Sequence, residues 1–178
     1  MTHDSSALPE VFLSFNTEDD RWNDKLPFLE EKGLSAAKKV FDLPEIKKHL
    51  LPRSVEISVC LTNDDAIHLL NKQYRGKDSA TNVLSFETDE SAKAEEFGLL
   101  GDIVLSYETL SCQAEEEKIS FEDHFIHLFI HGLLHLLGYD HEKSEEEAEF
   151  MEQMETQILA TFGIKNPYAD ACSLENKE

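Results

Sequence analysis

The residues best placed to do chemistry are histidines, four of which fall within the stretch Phe125 to His141, FIHLFIHGLLHLLGYDH. At about 100° per residue in a helix, His124, His127, His131 and His135 lie within about 80° of arc and share one face. The other positions are almost all apolar, which predicts a helix in the core. We therefore expect the histidine face to be buried or to line a cleft.

Three of these histidines have the spacing of metal ligands. His131 and His135 are four residues apart, so that their rings can converge on one metal ion. Gly138 then offers a helix end, and His141 follows after a short turn as a third ligand. We expect a metal site with an open fourth position rather than a core helix whose histidines are each satisfied by local hydrogen bonds.

The spacing H-G-x-x-H-x-x-G-x-D-H matches the H-E-x-x-H-x-x-G-x-x-H motif of metzincin proteases with one difference. The glutamate that acts as general base in those proteases is Gly132 in this chain. The sequence therefore keeps a three-histidine metal cradle and lacks the residue that makes such a cradle a peptidase.

A second group of polar residues lies between Asn71 and Phe86, NKQYRGKDSATNVLSF. This segment contains three basic residues and one acid, Asp78, in a chain whose formal net charge is −21. Arg75 is the candidate of most interest, because its forked guanidinium suits phosphate oxygens and could stabilise charge in a transition state. The alternative is an arginine that interacts with a helix dipole or pairs with Asp78. Lys72 is a further candidate for substrate binding.

Three more residues could support a metal ligand. Three roles fit His127: a hydrogen-bond partner of the site, a proton carrier or an ordinary core residue. Asp102, inside an apolar strand, could accept a hydrogen bond from a ligand histidine, or it could be an ordinary carboxylate at a strand edge. Asp140, just before His141, has the same two interpretations.

Composition bounds the class of protein. A length of 178 residues and a hydrophobic content of 40% fit a single domain, which we place at 8–168 between flexible tails at 1–7 and 169–178. The strongly negative charge argues against nonspecific binding to duplex nucleic acid, since such binding neutralises phosphates with Lys and Arg.

Cysteine usage and the N-terminus bear on the compartment. Cys60, Cys112 and Cys172 are widely spaced and form no C-x-x-C motif, which is typical of reduced thiols in a cytosolic protein. The N-terminus lacks the pattern of a signal peptide, and no uncharged apolar run reaches about 18 residues. We therefore expect a cytoplasmic protein without a membrane partner.

Hydrophobic periodicity predicts the element order β-α-β-α-β-β-α-α-α, hence an α+β fold with a small mixed four-stranded sheet and about five helices. The first helical region, from Lys25 to Leu51, is expected to be interrupted at Gly33 and Pro44. Asn63 or Thr62 is expected to cap the next helix. The predicted strands are 11–15, 54–61, 83–86 and 99–106, and the later helices are 109–117, 121–139 and one opened by a Ser144–Glu147 capping box.

The segments YRGKDSATNVLSF, LLGDIVLS and HGLLHLLGYDHE together resemble the YbeY family of bacterial ribosomal-RNA maturation factors. The resemblance runs from about Val55 to Tyr168 and includes the closing Asn166-Pro167-Tyr168. One position departs from the family pattern: the usual Thr-Asp is Thr81-Asn82 here, so a carboxylate is lost.

The resemblance implies a single-strand-specific, metal-dependent endoribonuclease that processes precursor rRNA ends and serves ribosome quality control. It implies one zinc ion per chain held by His131, His135 and His141, with Arg75 needed for activity. The expected partners are single-stranded RNA and the ribosome or its proteins, not DNA. The alternatives are a non-catalytic ribosome-assembly factor with a structural zinc and a metal hydrolase of another substrate.

The resemblance leaves the reaction chemistry open. The general base could be a metal hydroxide, His127 or the RNA 2′-hydroxyl itself. Both hydrolysis and internal transesterification fit the residues.

Overall fold

The fold is organised by a four-stranded sheet with the order β1-β2-β4-β3. Parallel pairing joins β1 to β2 and β2 to β4, while β3 runs antiparallel to β4 at one edge. The computed structural model describes residues 7–48, 51–89 and 97–169, so the predicted tails at 1–7 and 169–178 lie outside it except for residues 7 and 169. The strands are β1 (Glu10–Thr17), β2 (Ser54–Thr62), β3 (Val83–Glu87) and β4 (Phe97–Ser106).

The predicted α+β class and mixed sheet are confirmed. Among the described residues, five long α-helices surround the sheet, and a short sixth α-helix begins at Pro44, where the sequence predicted an interruption. The helices are α1 (Leu26–Phe41), α2 (Pro44–Lys47), α3 (Asp64–Arg75), α4 (Tyr107–Glu117), α5 (Phe121–Leu136) and α6 (Glu145–Thr161). The predicted caps are present, since Asn63 and Ser144 accept hydrogen bonds from Ala66 and Glu147.

The predicted interruption at Gly33 is wrong, because α1 continues through this residue. A Cβ atom at this position would lie 3.4 Å from Leu13 Cδ1 and 3.6 Å from Phe15 Cζ, both on β1. The glycine costs about 1 kcal/mol of helix propensity relative to alanine. A Cβ atom at these distances would make ordinary van der Waals contacts, so the packing of α1 against β1, and not the absence of a side chain, overrides the local preference.

Helix α5 lies in the centre of the core, as the apolar pattern predicted. Phe125, Phe129, Ile130 and Leu133 are fully buried in the same cluster as the inward-facing residues of β2. The helix ends at Leu136 rather than at the predicted residue 139.

A Schellman turn ends α5 earlier than predicted. The N–H groups of Gly138 and Tyr139 donate to the carbonyls of His135 and Leu134 at 3.0 and 3.1 Å. Gly138 adopts a φ of +97°, which a side chain would disfavour. The turn sends the chain back towards the histidine face.

The opposite face of the sheet is covered by α3. Ile67, Leu84 and Val104 form a second small core there. Within the described ranges no helix is long and apolar enough to cross a bilayer.

Candidate metal centre and cleft

The three predicted ligand histidines converge. His131 and His135 project from α5, and His141 approaches from the loop after the Schellman turn. The Nε2 atoms of His131 and His135 are 3.1 Å apart, and His141 Nδ1 is 3.2 Å from His135 Nε2. Ligands of a tetrahedral zinc with Zn–N bonds of about 2.05 Å are separated by about 3.3 Å. The donor set and its spacing therefore fit a divalent metal ion such as zinc.

The electrostatics of the cluster keep His135 available as a ligand. Burial, together with the neighbouring rings of His131 and His141, lowers the pKa of His135 to about 4. His135 is therefore neutral at physiological pH, and a metal ligand must be in this state.

Glu155 of α6 supports the cluster from inside the protein. Its side chain is 1% exposed, and its Oε1 atom accepts a hydrogen bond from His131 Nδ1 at 2.5 Å. Burial alone would raise the pKa of Glu155, but hydrogen bonds from His127 and His131 outweigh burial and lower the pKa to about 2. The carboxylate is therefore ionised, and His131 turns its Nε2 atom towards the other two histidines.

His127 and Tyr168 complete the surroundings of Glu155. His127 Nε2 lies 3.2 Å from Glu155 Oε2 and 3.2 Å from the Tyr168 hydroxyl. The Tyr168 hydroxyl donates a short hydrogen bond to the same carboxylate oxygen. Burial and the charge of Glu155 raise the pKa of Tyr168, so that the phenol keeps its proton.

Gly132, which replaces the protease glutamate, is packed against the sheet. A Cβ atom at this position would lie 3.0 Å from Ile103 Cγ2 and 3.1 Å from Ser85 Oγ. The Ser85 hydroxyl donates to the Gly132 carbonyl at 3.0 Å, which ties β3 to the turn of α5 between the two ligands. A side chain here would crowd Ile103 and Ser85, and glycine carries no carboxylate, so α5 supplies no base from this position.

Arg75 reaches the same cleft from the other side. It is the last residue of α3, which Gly76 ends in the left-handed conformation with a φ of +68°. Arg75 Nη2 donates to the Ser85 carbonyl at 2.7 Å, and the guanidinium lies 5.7 Å from the centre of the Phe86 ring. The cleft has a volume of about 850 Å³, and its lining includes Arg75, Lys77 and the three ligand histidines.

Comparison with known proteins identifies the family. The family model described as Endoribonuclease YbeY matches residues 16–163. Endoribonuclease YbeY of Bartonella henselae is 42% identical over 165 residues, covering 90% of this chain and 98% of the relative. Its counterpart in Novosphingobium aromaticivorans is 44% identical over 160 residues, covering 85% and 92%. The chain belongs to the YbeY family.

A solved structure supports the fold of this YbeY family member. The solution structure of TM1509 from Thermotoga maritima superposes with a TM-score of 0.55 at 24% identity, covering 94% of this chain and 96% of that one. At this identity the likeness bears on the fold alone.

The remaining predicted candidates lie in different places. Lys72 is outside the cleft lining, with its Nζ atom 3.9 Å from Asp78 Oδ1. Asp102 is exposed and neighbours in β4 the buried Ile103, so it points to the sheet face opposite α5, away from the histidines. Asp140 lines the cleft, where its carboxylate accepts the N–H of Glu142 at 2.8 Å, and this bond lowers its pKa.

Asn82, at the position where the family pattern has an acid, uses both ends of its amide. Its oxygen accepts the N–H of Val83 at 2.7 Å, and its nitrogen donates to Gln113 Oε1 at 3.0 Å. The same Gln113 oxygen accepts a hydrogen bond from His124 Nε2 at 2.9 Å. A carboxylate could not donate to Gln113, so the amide suits this network.

Sequence reasoning missed Glu155, Tyr168 and Ser85. A signal for Glu155 existed, because helical spacing places it on the buried stripe that also carries Met151, Met154 and Ile158. A carboxylate on an apolar stripe needs a buried partner. The roles of Tyr168 and Ser85 depend on contacts with distant elements, which local sequence does not contain.

Proposed function

We propose that this chain is a single-strand-specific, metal-dependent endoribonuclease that matures precursor rRNA and serves ribosome quality control in the cytoplasm. The observation that carries the proposal is the placement of Arg75 and three converging histidines in the lining of one cleft. The matched relatives are themselves described as endoribonucleases.

Zinc is the metal we propose, held by His131, His135 and His141. The spacing of their ligand nitrogens and the all-imidazole donor set favour this ion. When bound, zinc supplies a Lewis acid that polarises a phosphoryl oxygen or a water molecule.

Arg75 is the proposed phosphate ligand. Its hydrogen bond to the Ser85 carbonyl uses one N–H group and fixes the guanidinium at the cleft wall. The other donors of the fork remain for a phosphodiester and for the charge that develops in the transition state. The Ser85 hydroxyl also donates to the Gly132 carbonyl, so Ser85 connects Arg75 to the histidine helix.

A second candidate function is a non-catalytic ribosome-assembly factor in which zinc is structural. The net charge of −21 favours it, because such a chain binds free RNA weakly and would dock through basic protein partners. A peptidase function is disfavoured because Gly132 stands in place of the glutamate base, at a position where a side chain would crowd Ile103 and Ser85.

The decisive experiment measures cleavage of a single-stranded RNA and its duplex by zinc-loaded protein. We expect the wild type to cut the single strand, and Arg75→Ala to lose about 10²-fold or more in kcat while keeping its fold and zinc. Arg75→Lys should recover little, because lysine lacks the fork. Lys47→Ala removes a distant positive charge that pairs with Asp42 and should cleave like the wild type.

Two results would contradict the proposal. If folded, zinc-loaded Arg75→Ala cleaves at the wild-type rate, Arg75 does not bind the phosphate. If the wild type fails to cleave RNA and His135→Ala unfolds, the structural-zinc function is correct.

A further inference from the structure

Glu155 is an unusual group to find in the core of this protein. It is fully buried and lies on the face of α6 that also buries Met154, Ile158 and Leu159. An ionised carboxylate in such surroundings is costly unless hydrogen bonds compensate for lost water. Three donors meet it here, from His127, His131 and Tyr168.

The two oxygens of this carboxylate have different tasks. Oε1 accepts the bond from His131 Nδ1, while Oε2 is held by His127 and by the Tyr168 hydroxyl. The second pair of bonds comes from α5 and from the segment after α6. The carboxylate is thus anchored at one oxygen and presents the other to His131 in a fixed direction.

This direction decides which nitrogen of His131 is free. A neutral imidazole carries one proton, and the nitrogen that donates to a carboxylate is the protonated one. With the proton on Nδ1, the Nε2 atom keeps its lone pair, and Nε2 is the atom 3.1 Å from His135 Nε2. The opposite tautomer would place a proton at the centre of the histidine cluster.

We propose that Glu155 is a positioning residue that fixes His131 in the Nδ1–H tautomer and orients its Nε2 atom for metal binding. The inference rests on the metal site of the proposed function, and it adds a residue from α6 to ligands supplied by α5 and the loop after it. Carboxylates that hold a ligand histidine typically change metal affinity by about 10- to 100-fold when removed.

The test uses the full-length chain without RNA. Zinc affinity is measured by competition with a chromophoric chelator, and the tautomer of His131 is read from long-range ¹H–¹⁵N correlation spectra of the metal-free protein. Glu155→Met removes the acceptor at similar volume, and Glu155→Gln keeps the shape without the charge. Glu149→Gln makes the same chemical change at an exposed position of α6 and is the matched control.

We expect Glu155→Met to bind zinc about 10- to 100-fold more weakly and to lose the preference of His131 for the Nδ1–H tautomer. Glu155→Gln should weaken binding less, and Glu149→Gln should match the wild type. A structural clamp between α5 and α6 would change stability without changing the tautomer of the folded variants.

Folded Glu155→Met with wild-type zinc affinity would overturn the proposal. So would weaker affinity with an unchanged His131 tautomer, since loss of charge alone would then explain it. If both Glu155 variants unfold, the wild-type spectrum decides: an Nδ1–H tautomer supports the proposal and an Nε2–H tautomer refutes it. These readouts do not require cleavage, so a wild type that binds zinc and cuts no RNA would refute the proposed function alone.

Discussion

Gly132 distinguishes this chain from the metzincin proteases, which share its histidine spacing but have a glutamate base at this position. It lies between two candidate ligand histidines but faces Ile103 and Ser85 of the sheet. The sequence predicted the loss of a peptidase base from the residue type alone. The structure adds that a side chain at this position would crowd Ile103 of β4 and Ser85 of β3.

Introducing the glutamate of the protease motif at position 132 should therefore not create protease activity. Gly132→Glu forces a carboxylate against Ile103 and breaks the contact with Ser85, so we expect the free energy of unfolding to fall by more than about 3 kcal/mol. Chemical denaturation measures this change, and a peptide-cleavage assay should detect no cleavage. Gln157→Glu adds the same carboxylate at an exposed position of α6 and should change stability by less than about 0.5 kcal/mol. A stable Gly132→Glu protein that cleaves peptides would refute this account of the residue.

His124 gives the protein a stability that depends on pH. It is 3% exposed, and burial together with the nearby His127 lowers its pKa to about 4. An unfolded histidine titrates near about 6.5, so between these values the unfolded chain binds a proton that the folded chain does not. Stability is therefore present above pH 6.5 and is lost as the pH falls towards 4.

We expect the unfolding free energy of the metal-free protein to drop by up to about 1 kcal/mol per pH unit from this residue between pH 6.5 and 5. His135, whose pKa is lowered in the same direction, adds to the slope. His124→Gln should reduce the slope in urea titrations at each pH. An identical slope in the variant would show that His124 is not the group responsible.

At the scale of elements, the sequence predicts the bounds of segments that have strong hydrophobic periodicity or clear capping residues. It does not predict packing between segments that are distant in the chain. The bounds of β2 and α3 follow from alternation and from the cap at Asn63. The continuation of α1 through Gly33 depends on β1, which local propensity does not describe. The three candidate metal ligands are all within one short stretch and could be predicted, whereas Glu155 reaches them from another helix.

Trp22 joins several of these elements. It is fully buried, its indole N–H donates to the Thr62 carbonyl at 2.8 Å, and its ring makes edge contacts with Tyr107, Phe121 and Phe125. The end of β2, the start of α4 and the first turns of α5 therefore meet at this side chain.

Truncating Trp22 should remove packing contacts with α5 and destabilise the protein. We expect Trp22→Ala to cost about 3–5 kcal/mol of unfolding free energy, as large aromatic truncations in cores do. Phe28→Ala removes an aromatic ring that is 42% exposed on α1 and should cost much less. Equal losses in the two variants, measured by urea denaturation, would show that the Trp22 cluster does not anchor α5.

At the scale of the whole molecule, the acidic charge conflicts with a polyanionic substrate. A chain of net charge −21 repels RNA over the Debye length, which is about 30 Å at 0.01 M salt and about 8 Å at 0.15 M. The basic groups Arg75 and Lys77 at the cleft act over short distances only. Added salt should therefore weaken the long-range repulsion between the protein and RNA at concentrations that leave the contacts of Arg75 and Lys77 with phosphates largely intact.

We expect kcat/KM for a short single-stranded RNA to hold steady or rise between 0.01 and 0.15 M salt, at constant zinc. Basic nucleic-acid-binding proteins behave in the opposite way, because salt competes with their many phosphate contacts. A fall of about tenfold over this range would show that several phosphates are neutralised and that the global charge is not the controlling factor.

The central claim is that three histidines hold a metal on which RNA cleavage depends. The most direct measurement is zinc content by mass spectrometry, with single-strand cleavage assayed on the same samples of wild type and folded His135→Ala. The account predicts about one zinc per chain and cleavage in the wild type, with both lost in the variant. Wild-type protein stripped of zinc that still cleaves at full rate would contradict it.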